Sequence, residues 1–205
     1  MIAGSVQLKR ALISTYDRGG LIEFAGALQD LGVELVSTGG TGRAMREAGL
    51  SVTEVAQVTG VPEIMDGRVK TLHPKIHGGL LGVRANEEHM ATLEQHGIAP
   101  FELVCVNLYP FESAISKPGC SLAEAVENID IGGPAMLRSA AKNHRSIYVV
   151  SSPAQYPETI ERLRADGGHI DSNYGMRLAI EVYRMTSRYD GAITAYLAAQ
   201  AGLPS

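Results

Sequence analysis

The sequence predicts an α/β protein of three layers, a mainly parallel sheet between two layers of helices. Short apolar runs alternate with stretches of helical period along the chain. Those runs are apolar throughout rather than on alternate residues, as in strands covered on both faces. The polar and glycine-rich stretches fall at or beyond strand ends, where parallel sheets bind their ligands.

Taken in order, Arg10–Ser14 is a short buried strand, and Asp17 is placed to cap the helix that follows. In that helix Leu21, Phe24, Ala25, Leu28 and Leu31 keep a 3.6 period, and Gly32 ends it. Val33–Ser37 is a second strand, Thr38–Gly42 a loop, and a helix is expected from about Arg43 to Ala48. Val52–Val55 is a weaker strand. From Gln57 to His77 no period holds, which predicts a long functional loop. Glu87–His96 is helical, and Leu103–Tyr109 is the strongest strand, stopped by Pro110. A short helix covers Leu122–Val126. Ser146–Ser151 is a last strand, followed by a helix from about Ala154 to Arg164. Asp171 then caps a long helix reaching about Ala199, with bends expected at Gly175 or Gly191.

Length and composition bound the function. A chain of 205 residues, 45% hydrophobic and 20% charged, suits a single domain over 1–205. A net charge of −4 gives no footprint for nucleic acid or membrane. No apolar run approaches the roughly 18 residues of a membrane span, and Met1–Arg10 has no leader-like apolar core. Cys105 and Cys120 form neither CxxC nor a disulfide framework, and Cys105 reads as a buried thiol. A reducing cytoplasm fits these features.

The segment from Glu127 to His144 concentrates chemistry. Gly132 and Gly133 admit close approach to the backbone, and Pro134 suits a first helical position. Asp130 stands ahead of the helix, with Arg138 and Lys142 on one face of it. Met136, Leu137, Ala140 and Ala141 form a buried stripe. By itself this is equally a capped core helix with a basic outer face. Ser37-Thr38-Gly39-Gly40-Thr41-Gly42 joins strand to helix, where backbone N–H groups attract phosphate. It is neither a Walker loop nor GxGxxG, and a plain tight turn would read the same. Asp66–Gly79 gathers cations and imidazoles. His73 and His77 have metal-pair spacing, but Pro74 interrupts and no third ligand follows. Arg68 and Lys70 suit an anion or a polarised carbonyl better. Asn107-Leu108-Tyr109-Pro110-Phe111 closes the strongest strand.

Together these motifs resemble the IMP cyclohydrolase domain, the N-terminal half of a bifunctional purine-biosynthesis enzyme. The likeness covers nearly the whole chain. It rests on Ser37–Thr41, Asp66–His77, Asn107–Phe111, Asp130–Gly133, Ala140–His144 and Thr186–Asp190. Arg-Val-Lys-Thr-Leu-His-Pro with Ala-Ala-Lys-Asn-His is its most specific combination. The resemblance implies a methylglyoxal-synthase-like fold and ring closure of the formylated aminoimidazole carboxamide ribonucleotide (FAICAR) to IMP, with loss of water. It implies no cofactor and no metal. The partners it implies are the purine ribonucleotide substrate and product, with a homodimer and a separate transformylase as the protein partners it allows.

By similarity, Asp130 would hold or deprotonate the carboxamide and Lys142 would protonate the developing hydroxyl. Lys70 would stabilise charge, and Tyr109 would position the reacting groups. Thr38, Gly39, Gly40 and Thr41 would cradle the phosphate with the loop Tyr16, Asp17 and Arg18. Arg68, Thr71 and Asn107 would line base and ribose, and the N–H groups of Ile131 and Gly132 would complete an oxyanion site. Two departures stand out. The chain carries no transformylase half. Its first loop reads Ser14-Thr15-Tyr16-Asp17-Arg18 where the family commonly has Ser-x-Ser-Asp-Lys. The resemblance therefore leaves two other readings open, the same cyclisation on an analogous ribonucleotide of a specialised nucleoside pathway and a phosphate-binding regulatory module.

Overall fold

The computed structural model describes residues 6–204. The first five residues of the stretch Met1–Arg10, for which no leader-like core is expected, lie outside them. Five strands, β1 (Arg10–Thr15), β2 (Glu34–Ser37), β3 (Val52–Glu54), β4 (Leu103–Asn107) and β5 (Tyr148–Val150), form one sheet in the order β3-β2-β1-β4-β5. Every pairing in it is parallel. Helices cover both faces. Leu21, Phe24 and Leu28 of α1 (Leu21–Asp30) pack with Ile160 and Leu163 of α9 (Tyr156–Ala165) against Ala11, Ile13 and Cys105. On the opposite face, Ile76 and Leu80 of α4 (Pro74–Leu81) join Met136, Leu137, Ala140 and Ala141 of α8 (Gly132–Lys142) over Leu12, Val104 and Val149. The long α10 (Ser172–Ala201) closes the β5 edge, sending Tyr174 and Leu178 into one core and Ala179 and Val182 into the other.

Alternate-face burial along β1 explains the unbroken apolar run: Leu12 meets one helical layer, Ala11 and Ile13 the other. Cys105 is fully enclosed there, and burial pushes its thiol up to about 12, so it packs as a small hydrophobe. Among the described residues no helix is long and apolar enough to cross a membrane.

The differences from expectation have local causes. Asp17 does not cap α1. Its carboxylate accepts from Gly19 N–H inside the preceding turn, and the helix begins after Gly20, which takes a left-handed conformation. The helix α2 (Gly39–Glu47) starts four residues before Arg43, because three glycines and a threonine form its first turn despite poor propensity. The expected long loop is interrupted by α3 (Val55–Thr59) and by the start of α4, with Pro74 at the first helical position. Two more helices, α5 (Glu87–Gln95) and α7 (Leu122–Glu127), match expectation, while the five-residue α6 (Phe111–Ile115) is too short to show a period. In α8, Pro134 is the third helical residue rather than the first; its missing N–H still belongs to the unpaired first turn.

Candidate active site

In this strand order the chain leaves β1 toward one side of the sheet and enters β4 on the other. The crevice beyond the carboxyl ends of β1 and β4 is therefore the topological switch point. A cavity of about 1000 Å³ opens there, large enough for a nucleotide. Its wall is built from the loop after β1, the start of α2, the segment 66–71, the end of β4 and the start of α8.

Of the residues singled out from sequence, Tyr16, Arg18, Thr38, Gly39, Gly40, Thr41, Arg68, Lys70, Thr71, Asn107, Tyr109, Asp130, Ile131 and Gly132 line this cavity. One end is an anion site in form. The first turn of α2 presents unpaired N–H groups, and no side chain caps it. The Arg18 guanidinium lies against Gly40, where a β-carbon would sit 2.5 Å from Nη2. Lys70 Nζ stands 3.7 Å from the corresponding point on Gly39. A helix N-terminus flanked by two cations binds phosphate through charge-assisted hydrogen bonds.

Three residues make contacts that the sequence did not reveal. Asn107 makes three hydrogen bonds to the loop after β1. Oδ1 accepts from Tyr16 N–H (2.8 Å) and Asp17 N–H (2.9 Å), and Nδ2 donates to the Asp17 carbonyl (2.9 Å). It pins the loop that carries Arg18 while lining the cavity. Thr41 is buried, and its hydroxyl accepts from Thr15 N–H and donates to the Thr15 carbonyl, tying α2 to the end of β1. Asp17 contributes no cavity surface.

At the other end, Asp130 precedes α8. Its Oδ1 accepts from Gly133 N–H at 3.0 Å, and its own N–H donates to the Tyr189 hydroxyl at 2.7 Å. Tyr189 is buried, and burial holds its phenol above the usual range, so it remains a neutral anchor from α10. Thr71 Oγ1 lies 3.0 Å from where a β-carbon on Gly132 would stand, at the same helix start. Tyr109 meets the edge of Tyr16, with ring centroids 4.5 Å apart and planes at 65°.

Lys142 is not brought to this cavity. It ends α8, ten residues beyond Gly132, and is exposed. At 1.5 Å per residue it stands about 15 Å along the axis from the helix start. The sequence spacing placed it on the same helix as the site, but helix length carries it away, so proton delivery by Lys142 to a ligand here is not supported within one chain. Conversely, the cavity includes Lys117, whose Nζ lies 5.9 Å from the Tyr109 ring centroid. No sequence motif marks it, since it sits in the irregular link between α6 and α7. Glu127 also lines the wall and forms an ion pair with Arg68.

The two imidazoles have structural work. His73 Nδ1 accepts from Lys75 N–H at the start of α4, and His77 Nδ1 bonds Ser139 Oγ at 2.9 Å. Burial lowers the His77 pKa, favouring its neutral form. Among the described residues no three His, Cys, Asp or Glu side chains are grouped to hold a metal ion.

Residues 64–70 form a tight hairpin. Ile64 and Val69 exchange both backbone hydrogen bonds, and Met65, Asp66 and Gly67 all have positive φ, at 55°, 54° and 87°. Non-glycine residues held there cost about 1–3 kcal/mol each, which marks a built segment rather than a slack loop.

Comparison with known proteins gives the family. Residues 20–135 match the MGS-like domain family, and residues 140–205 match the AICARFT/IMPCHase bienzyme family. The chain is 55% identical over 193 residues to the bifunctional purine biosynthesis protein PurH of Magnetococcus marinus. That alignment covers 94% of this chain and 36% of the relative, so the chain spans about a third of that protein's length. The crystal structure of ForH superposes with a TM-score of 0.83 at 33% identity, covering 93% of this chain and 97% of that one. The chain thus belongs to the MGS-like domain family, as a relative of the IMP cyclohydrolase part of the AICARFT/IMPCHase bienzymes.

Proposed function

We propose that this chain is an IMP cyclohydrolase of purine biosynthesis, closing FAICAR to IMP with loss of water. The observation that carries the reading is the pairing of two ends in one cavity. An anion site at Arg18, Lys70 and the start of α2 faces a carboxylate and a second helix start at Asp130–Gly132. The first fits a 5′-phosphate, and the second fits a base undergoing proton transfer.

In this reading the phosphate anchors at α2, and binding energy spent there orients the base. The carboxamide nitrogen attacks the formyl carbon, forming the new C–N bond, and the formyl oxygen takes the electron pair of its π-bond. Asp130 accepts the proton lost by nitrogen, while N–H groups at the start of α8 stabilise the developing oxyanion and Lys70 holds the phosphate at the α2 end. The protonated Asp130 returns its proton to the oxyanion, which becomes a hydroxyl; with a second proton from solvent that hydroxyl leaves as water while the formamido nitrogen gives up its N–H proton, forming the C=N bond of the new ring. Tyr109 holds the base edge. An absorbance assay for IMP from FAICAR, run without folate and in excess EDTA, tests the whole reading. Ring closure is expected under those conditions; no product, or product only after zinc is restored, would overturn it.

A second reading, the same cyclisation on an analogous ribonucleotide, is favoured by one observation. Tyr16 does not turn aside. Its N–H is taken by Asn107, and its ring stands against Tyr109, beside the proposed base edge. The double variant Tyr16→Ser with Arg18→Lys separates the two. For an enzyme acting on FAICAR, kcat/KM should change only a few-fold, about 1 kcal/mol. A gain of about tenfold or more on FAICAR, about 1.4 kcal/mol, would instead show that Tyr16 adapts the cavity to another base.

A further inference from the structure

We infer that Glu63 is a positioning residue for Lys70, one that holds the ammonium at the α2 end of the cavity and is itself outside the cavity wall. The inference rests on the functional reading above for the identity of the reaction, and on geometry alone for the placement.

The hairpin dictates the pairing. Ile64 and Val69 are bonded to each other, so Glu63 and Lys70 are the next pair outward and share one face. Their charged groups meet at 2.6 Å between Lys70 Nζ and Glu63 Oε2. Gly67 leaves the space in which they meet. A β-carbon there would lie 3.3 Å from Lys70 Nζ and 3.7 Å from Glu63 Oε1. From that position the ammonium reaches toward Gly39 in the first turn of α2.

Stability is a poor explanation for this arrangement. The Glu63 side chain is 54% exposed, and ion pairs at such sites contribute little to folding. Yet the turn that creates the pair holds Met65 and Asp66 in left-handed conformations. The pair restricts a long, flexible lysine to one geometry beside an anion site. The carboxylate also competes with an incoming anion for the Lys70 ammonium. Neutralising Glu63 should therefore have two opposite effects. Anions should bind more tightly, because a competing charge is gone, and turnover should slow, because Lys70 is no longer aimed.

The test is Glu63→Gln in the full chain, read by steady-state kinetics on FAICAR and by calorimetric titration with inorganic phosphate. The expected result is a KM lowered about three-fold or more and a kcat lowered about ten-fold, with phosphate affinity raised and the melting temperature unchanged. In a Lys70→Met background, Glu63→Gln should leave phosphate affinity unchanged. A raised KM with a lowered melting temperature would show a merely structural role and overturn the inference. So would unchanged kcat and KM, or a full Glu63→Gln effect without Lys70. If the wild-type chain does not cyclise FAICAR at all, the functional reading fails, while the phosphate titrations still decide the role of Glu63.

Discussion

Replacing Asp130 with Asn is expected to lower kcat about 10²–10⁴-fold, the usual loss when a general base is removed. The substitution is nearly isosteric. Asparagine Oδ1 can still accept from Gly133 N–H, and the main-chain bond from residue 130 to Tyr189 is untouched. The fold should therefore survive, with a melting temperature within about 2 °C of the parent. Affinity for IMP should change little, because the phosphate end of the cavity lies at α2 and not at α8. Loss confined to kcat assigns the carboxylate to the transition state rather than to ground-state binding. An Asp130→Asn chain that kept more than a tenth of parental kcat would remove Asp130 from the chemistry.

What could be read from the sequence follows from how far each feature depends on its neighbours. Apolar runs and helical stripes depend on local period, so the parallel sheet and the buried faces of α1 and α8 were legible. That the strand-end stretches would meet was legible for the same reason, since parallel strands bring their carboxyl ends to one edge, and they line one cavity. Short elements made of glycine and polar residues were not. The first turn of α2, residues 39–42, carries no apolar period, and the five-residue α6, with Phe111, Ala114 and Ile115 on one face, is too short to establish one. Side-chain employment was also hidden. Asn107 and Thr41 stand at the right places, but their polar atoms are spent on the backbone of residues 15–17. Lys142 was placed by motif, and α8 sets it about 15 Å along its axis from the helix start that lines the cavity. Lys117 shows the converse, a cation carried into the cavity by a loop without pattern.

Gly133→Ala is the second substitution expected to have a large effect, and it acts on the same carboxylate from behind. Gly133 is buried in the first turn of α8. A β-carbon there would overlap the Asp130 carboxylate and lie 2.6 Å from Leu108 Cδ2. Leu108 can yield, since that atom ends a flexible side chain. The carboxylate cannot yield without leaving the Gly133 N–H that holds it. Two consequences should separate. Overpacking against Leu108 should destabilise the fold by about 1–3 kcal/mol. Displacement of Asp130 should lower kcat by at least about 10²-fold, since small misplacements of a reacting group are costly. The double variant Gly133→Ala with Leu108→Ala resolves them, because trimming Leu108 relieves only the first contact. It should recover melting temperature without recovering kcat. In an Asp130→Asn background, Gly133→Ala should add little further loss of kcat, as expected for two changes acting through one group. Recovery of kcat by Leu108→Ala would show that the glycine serves packing alone, and that the position of the Asp130 carboxylate does not limit the reaction.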